Sequence, residues 1–295
     1  MRSLLVRTCA KVNLFLRVLG KRPDGYHEIE TLFQGIGLCD DLGFSVRPEP
    51  GIELHLERGM PRGSDNLIAR AWALLGGDER ADGVEVRVEK RIPLGAGLGG
   101  GSSNAAGTLL ALNELWRLRL EEAELGLAGL SLGSDVPFFL QGGTALGRGR
   151  GEVLTRLPDP PELWFVLGIS NEPLSTAEVY ERWRPRPGTP PDAEPPIDAL
   201  RRGDVRALGL TLHNDLEETA MVLRPELRAK KAALLRVGAL GACVSGSGPT
   251  LFALATDRSH ASSIAGAVQD EFDRVAVTGS VGRCVELPRE GKAIP

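Results

Sequence analysis

Pro93-Leu-Gly-Ala-Gly-Leu-Gly-Gly-Gly-Ser-Ser-Asn-Ala-Ala106 places five glycines within seven positions, between two patterned segments. Ahead of it, Val84-Glu-Val-Arg-Val88 alternates as a strand does. Behind it, Ala105, Ala106, Leu109, Leu112, Leu115 and Trp116 recur at three and four, which predicts a helix from about Ser102 to Leu118. Glycine lets successive backbone N–H groups point into one concavity, and the helix start adds unpaired N–H groups and the positive end of its dipole. Together these form a cradle for the phosphates of a nucleotide. Ser102 and Ser103 would add hydroxyls at the helix mouth, for phosphate or a phosphate-bound Mg²⁺. The plain alternative is a flexible loop closed by a serine N-cap.

The type of phosphate loop follows partly by elimination. No Gly-Lys-Ser/Thr closes it, so it is not a Walker A loop. Gly95, Gly97 and Gly100 match the dinucleotide fingerprint in form, but a Rossmann helix must lead to a parallel strand with an acidic residue about 20 positions on. Here a second helical pattern follows at 121–130, and Glu121 or Glu122 would sit on it. An NAD-dependent oxidoreductase stays open as the weaker reading.

Working outward, Leu4 to Val18 reads as a strand whose even positions Val12, Leu14, Leu16 and Val18 are apolar, so Lys11 and Asn13 share the other face. Further strands are expected at Gly51–Leu56, Trp164–Ile169, Gly241–Val244, Thr250–Ala255 and Val275–Thr278, with helices at Asn66–Leu75, Pro225–Val237 and Ser259–Phe272. The fold class is α+β, and Pro158-Asp-Pro-Pro161 suggests two domains, 1–157 and 158–295. Residues 184–196 carry six prolines and read as a semi-rigid surface loop that is neither helix nor central strand.

The chain has 295 residues, 42% of them hydrophobic and 25% charged, which excludes wholesale disorder, a collagen-like chain and an extended coiled coil. Its net charge of −4 lacks the basic excess of nucleic-acid binders. An RNA-binding module on Arg148-Gly-Arg150 and Arg182-Trp-Arg-Pro-Arg186 is therefore the weaker alternative. Cys9, Cys39, Cys243 and Cys284 are widely spaced without a CxxC pair and read as reduced thiols. With neither a signal-peptide core nor a long apolar run, a cytoplasmic location is expected.

Ala10-Lys-Val-Asn-Leu-Phe-Leu16, the 93–106 stretch and Val244-Ser-Gly-Ser-Gly-Pro-Thr-Leu-Phe252 resemble the three ordered motifs of the GHMP small-molecule kinases. Asp24-Gly-Tyr-His27, Thr31-Leu-Phe-Gln34, Asp65-Asn-Leu67, Leu132-Gly-Ser-Asp-Val-Pro137, Ser175-Thr-Ala-Glu-Val-Tyr180 and Asn214-Asp-Leu-Glu217 resemble the branch acting on a cytidine-diphosphate-linked methylerythritol. That branch serves the methylerythritol phosphate route to isoprenoid precursors. Cys9 stands where the family usually carries proline.

The resemblance implies a GHMP-kinase-like architecture with nucleotide and substrate in a cleft between two domains, and transfer from ATP with Mg²⁺ to the 2-hydroxyl of that substrate. It assigns Asp135 as catalytic base and Lys11 as the cation beside it. Asp135 would also suit a helix N-cap, and a strand lysine is usually solvated. Pro93, Leu94, Gly95, Ala96, Gly97, Leu98, Gly99, Gly100, Gly101, Ser102, Ser103 and Asn104 would hold the triphosphate, with Asn66 and Lys90 toward the adenosine. Asn13 would bond the methylerythritol end, and Tyr26, His27, Phe33, Thr176 and Tyr180 the cytidine. His27 would read the edge of the base between aromatic faces. Gly246-Ser-Gly248 would bring backbone close to substrate phosphates or to the glycine loop. Mevalonate-type and homoserine-type acceptors are the runner-up within the kinases. No metal ligand is assigned, and Mg²⁺ would be held chiefly by ATP and Ser103.

Overall fold

Alternation along the first strand sets the architecture. The computed structural model describes residues 2–185 and 191–287, and in it β1 runs Ser3–Lys21 with Val12, Leu14, Leu16 and Val18 buried. Val12 and Leu14 share one apolar cluster with Phe165, Leu167, Phe252 and Leu254, and Leu16 and Val18 share another with Val244 and Leu251. The even face of β1 therefore packs against the second half of the chain. Lys11 and Asn13, on the odd face ahead of a bulge between Asn13 and Phe15, are left to the cleft between the halves, and beyond the bulge Phe15 joins the core while Leu16 lines the cleft.

After β1 the strands are β2 (His27–Arg47), β3 (Ile52–His55), β4 (Gly83–Glu89), β5 (Thr144–Arg148), β6 (Val153–Leu157), β7 (Trp164–Ile169), β8 (His213–Asn214), β9 (Gly241–Val244), β10 (Leu251–Ala255), β11 (Arg274–Gly279) and β12 (Val285–Glu286). The helices are α1 (Leu67–Leu74), α2 (Gly100–Trp116), α3 (Glu122–Leu132), α4 (Val136–Gln141), α5 (Thr176–Arg182), α6 (Glu194–Arg202), α7 (Val205–Thr211), α8 (Glu217–Leu223), α9 (Glu226–Arg236) and α10 (Arg258–Ala267). One sheet has the order β12-β1-β2-β4-β3, with β5 joining β2 to β6 and β8 lying parallel to β1. A four-stranded antiparallel sheet has the order β11-β7-β10-β9. The chain changes sheet across Pro158-Asp-Pro-Pro161, yet β8 and β12 return from the second half to the first sheet. This mixed arrangement is the α+β class expected.

A core of Leu42, Phe44, Val84, Val86, Leu109, Leu112, Leu115 and Phe139 joins β2 and β4 to α2 and α4. Here α2 buries the stripe that the sequence spacing predicts, although it begins at Gly100, two residues early. The expected proline loop needs correction. Residues 186–190 lie outside the described residues, but Glu194–Pro196 form the first turn of α6, with proline at its opening positions. There the ring needs no N–H partner and its fixed φ suits the helix.

The reduced-thiol expectation is corrected for two of the four cysteines. The β1–β2 register sets Cys9 opposite Cys39, and the two form a disulfide, while Cys243 and Cys284 are free and buried. Among the described residues no helix is long and apolar enough to cross a membrane.

Candidate active site

A cleft of about 1060 Å³ is lined from both halves, by residues of β1, the 22–26 hairpin loop, the glycine loop, α5 and the 245–248 turn. Its floor begins at Lys11, whose side chain is 5% exposed. The ammonium donates to Asn13 Oδ1 at 2.6 Å and to the Gly97 carbonyl at 3.1 Å, and it lies 3.9 Å from Asp135 Oδ2. Asn13 in turn donates to Thr31 Oγ1, which donates to the Phe15 carbonyl. Burial lowers the Lys11 pKa below the usual lysine range, and the Asp135 charge partly restores it. The lysine is no solvated strand charge. It is a desolvated cation held by two oxygens and facing a carboxylate.

Asp135 does stand at the N-cap position of α4, as the sequence allows, but its side chain makes no capping bond. Pro137 occupies the first turn and lowers the demand for a cap. The carboxylate is therefore left for the cleft and for Lys11.

The glycine loop is tied down from behind. Lys11 N donates to the Leu98 carbonyl, and Ser103 Oγ donates to the Cys9 carbonyl at 2.7 Å. Ser103 is fully buried, so the expectation that its hydroxyl serves phosphate or Mg²⁺ is corrected; Ser102 lines the cleft instead. The helix N-cap is Gly99 at φ +72°, with no side-chain cap, so the first amides of α2 are not capped by a serine. Leu98 is buried in the core, while Pro93, Leu94, Gly95, Ala96, Gly97, Gly99, Gly100, Gly101 and Asn104 all line the cleft. With its amide turned, the Asn104 nitrogen lies 2.9–3.1 Å from Gly100 O, Asp40 Oδ2 and Thr8 Oγ1, acceptors that its two N–H groups share, which braces the loop.

Asn66 lines the far end and caps α1, accepting from Ile68 N and donating to the Pro61 carbonyl. Lys90 lines it too, but its ammonium is paired with the fully buried Asp40, which also accepts from Arg91 N and Ile92 N. Asp40 is a residue that sequence reasoning passed over. Burial lowers the Lys90 pKa, and Asp40 counteracts that.

At the other end, Asp24 Oδ1 accepts from Tyr26 N and shapes the hairpin loop that presents Tyr26 and His27. His27 is stacked on Tyr180, ring centroids 5.1 Å apart, and meets Trp183 edge-on at 5.8 Å. Desolvation and the nearby Lys21 lower the His27 pKa, so the imidazole is neutral at pH 7. Burial, with the Asp135 charge, raises the Tyr180 pKa and keeps its hydroxyl protonated. Phe33 also lines the cleft, buried beneath the Lys11 ammonium at 5.7 Å and stacked on Phe138. Thr176 Oγ1 lies 2.8 Å from Ser247 Oγ, joining α5 to the third motif.

Arg150, read from sequence as part of a surface cluster, lines the cleft with its guanidinium over the Tyr26 ring at 4.6 Å. Lys21 and Trp183 were likewise missed, because nothing in their local sequence separates them from surface residues. Of the other arginines of the RNA alternative, Arg148 pairs with Glu30, Arg182 with Glu178, and Arg184 donates to the Glu181 and Trp183 carbonyls, while Arg186 lies outside the described residues.

Comparison with known proteins gives the family. The pattern of the GHMP kinases N terminal domain matches residues 66–143, and that of the GHMP kinases C terminal matches 196–274. The chain is similar to 4-diphosphocytidyl-2-C-methyl-D-erythritol kinase of Moorella thermoacetica, 46% identical over 91% of this chain and 95% of that protein. It is also similar to a crystal structure of 4-(cytidine 5'-diphospho)-2C-methyl-D-erythritol kinase, with TM-score 0.79 and 37% identity over 95% of this chain and 99% of the other. A homoserine kinase from Cytophaga hutchinsonii, TM-score 0.76 at 21% identity over 98% of each chain, shares the fold. The chain belongs to the GHMP kinases, in the branch of the 4-diphosphocytidyl-2-C-methyl-D-erythritol kinases.

Proposed function

We propose that this protein transfers the γ-phosphoryl group of ATP to the 2-hydroxyl of 4-diphosphocytidyl-2-C-methyl-D-erythritol, a step of non-mevalonate isoprenoid precursor synthesis. One observation carries the reading. A single cleft holds the glycine loop at the start of α2, the Lys11–Asp135 pair, and the aromatic group Tyr26, His27 and Tyr180. Phosphoryl transfer asks a protein chiefly to place its reactants in line, to neutralise charge and to accept one proton.

In this reading Asp135 takes the proton of the attacking hydroxyl as its oxygen bonds to the γ-phosphorus and ADP departs. Lys11 sets its positive charge 3.9 Å from that carboxylate and stabilises the developing alkoxide. Its compact ammonium fits between Asn13 Oδ1, Gly97 O and Asp135 where a guanidinium fork would be too wide. The loop amides hold the phosphates, and Arg150 and Lys21 supply positive charge toward the diphosphate of the acceptor.

Asp65, Asp135 and Glu181 are the acidic residues along the cleft, and no three His, Cys, Asp or Glu side chains among the described residues form a cage. This donor set fits an Mg²⁺ ion that arrives with the triphosphate and keeps most of its waters. When bound, the ion would neutralise charge between the β- and γ-phosphates.

ADP release from ATP, followed with the cytidylyl substrate, with mevalonate and with homoserine, tests the assignment. Turnover is expected with the first alone. Phosphorylation of either other acceptor with none of the cytidylyl compound would overturn the substrate while leaving the kinase.

Tyr180 gives a sharper check. Losing one aromatic platform costs about 1–3 kcal/mol per stacked base, so Tyr180→Ala should raise the KM for the cytidylyl substrate by about one to two orders of magnitude. The KM for ATP should hardly move, because Tyr180 is stacked on His27 of the hairpin and is not carried by the glycine loop. Steady-state kinetics with each substrate varied in turn would decide it.

A further inference from the structure

Asn214 opens the Asn-Asp-Leu-Glu motif that the reaction itself leaves without a task. It lies on β8, which pairs with β1 at Phe15 and Leu16, and it is 3% exposed. Both N–H groups of its amide are spent on backbone, donating to the Val244 carbonyl at 2.8 Å and the Gly246 carbonyl at 2.7 Å. Its Oδ1 accepts from Leu216 N. Glu217 grips the same strand end by accepting from Val244 N.

What Asn214 holds is the turn that covers Lys11. Ser245 Oγ donates to the Gly97 carbonyl at 3.0 Å, and the Lys11 ammonium donates to that same oxygen at 3.1 Å. The approach is close: a Cβ on Gly97 would fall 2.1 Å from the Ser245 carbonyl oxygen, and one on Gly246 would fall 3.2 Å from the Lys11 ammonium and 3.4 Å from Asn13 Oδ1. Thr176 and Ser247 fasten the far side of the turn to α5. On its other side the 213–217 segment is bonded to β1. Asp215 N donates to the Leu16 carbonyl, and Asp215 Oδ2 accepts from Val18 N. One short segment therefore ties the strand that carries Lys11 to the turn that closes over it.

We propose that Asn214 is a positioning residue for phosphoryl transfer. Through the Val244 and Gly246 carbonyls it holds the 245–248 turn on the Gly97 carbonyl, and so fixes the glycine loop and the Lys11 ammonium relative to each other. The proposal rests on the role given to Lys11 above. It touches neither reactant, so its signature is a loss in the transfer step at little cost to nucleotide binding.

The experiment compares wild type, Asn214→Ala, Ser245→Ala, the double variant and Ile264→Ala by steady-state kinetics and thermal melting. Ile264 is buried on α10 in the core of the second half, and its truncation destabilises without touching the turn. Asn214→Ala is expected to lower kcat by about tenfold or more, with the KM for ATP changed by less than about threefold. Ser245→Ala should lower kcat by about threefold or more, and the double variant should lose much less than the product of the two, since both act through one carbonyl. Ile264→Ala should melt earlier with kcat kept. The proposal is overturned by any of three results: kcat in Asn214→Ala within about twofold of wild type, independent multiplication of the two losses, or an equal kcat loss in Ile264→Ala. Should Asn214→Ala not fold, Ser245→Ala decides alone, and an unchanged kcat there overturns the proposal. Failure of the Lys11 and Asp135 assignment would show separately, as turnover retained in Asp135→Asn.

Discussion

Asp135→Asn is expected to lose turnover by about two to four orders of magnitude, about 2.7–5.5 kcal/mol of transition-state stabilisation, while ATP affinity stays near normal. The change keeps shape and hydrogen-bonding size but cannot take the proton of the hydroxyl. It is also a clean change. The carboxylate makes no capping bond to α4, and asparagine is as good an N-cap residue as aspartate, so the melting temperature should stay close to that of wild type. One consequence does reach Lys11. The ammonium keeps its bonds to Asn13 and Gly97 but loses the charge that offsets its burial, so its pKa should fall further. Single-turnover kinetics with saturating ATP would separate the proton-transfer loss from binding. Retained turnover would return Asp135 to the role of a helix-start residue.

That ambiguity shows what the sequence could and could not reveal of the site. The glycine loop was legible because it is contiguous, and Lys11 and Asn13 because strand period puts them on one face. Asp135 was legible as a helix start, but which way its carboxylate turned was not, since either reading uses the same residues. Ser103 went astray for a related reason. The apolar stripe does not fix where a helix begins, and with α2 starting at Gly100 Ser103 stands one turn in from the helix mouth, where its hydroxyl donates to the Cys9 carbonyl. Asp40 acts on groups far away in sequence with no local pattern of its own, and the Asn214-Asp-Leu-Glu217 motif gives no sign that Asn214 bonds backbone 30 and 32 residues on.

The longest strand was passed over for a different reason. β2 runs 21 residues; Ile36, Leu38, Leu42, Phe44 and Val46 alternate along its second half, but Asp40 interrupts them and the first half buries Glu30, Thr31 and Gln34 beside apolar residues, so the pattern does not run the length of the strand. The buried polar groups are satisfied only in three dimensions: Glu30 by Arg17 and Arg148, Thr31 by Asn13, and Gln34 by Thr144. Its pairing with β1 also slips between Cys9 and Ala10, where Cys9 faces Cys39 but Ala10 faces Ile36. A cysteine pair set by such a bulge cannot be read from spacing.

Gly99→Val tests whether the loop backbone itself binds ATP. Gly99 has φ +72°, a conformation that costs an L-residue about 1–2 kcal/mol and is an outlier for a β-branched one. A Cβ there would fall 2.5 Å from the Phe139 ring and 3.3 Å from Lys11 Cγ. The ring has little room to retreat: Phe139 is fully buried on α4 and packs edge-on against Phe138, which is stacked on Phe33 beneath Lys11. Overpacking of this kind costs about 1–3 kcal/mol, and the easier relief is for the loop to move outward. Its amides then leave the positions at which they would meet phosphate oxygens, so the Kd for ATP should rise by about two orders of magnitude, equivalent to about 2.7 kcal/mol. Gly126→Ala is the control. It lies on α3 outside the cleft lining, nothing falls within 4 Å of its added Cβ, and its φ is not positive, so ATP affinity should stay within about threefold. Calorimetric titration of ATP into both variants, each first shown to melt cooperatively, separates the two cases. Wild-type ATP affinity in Gly99→Val would mean that the phosphates are held elsewhere in the cleft.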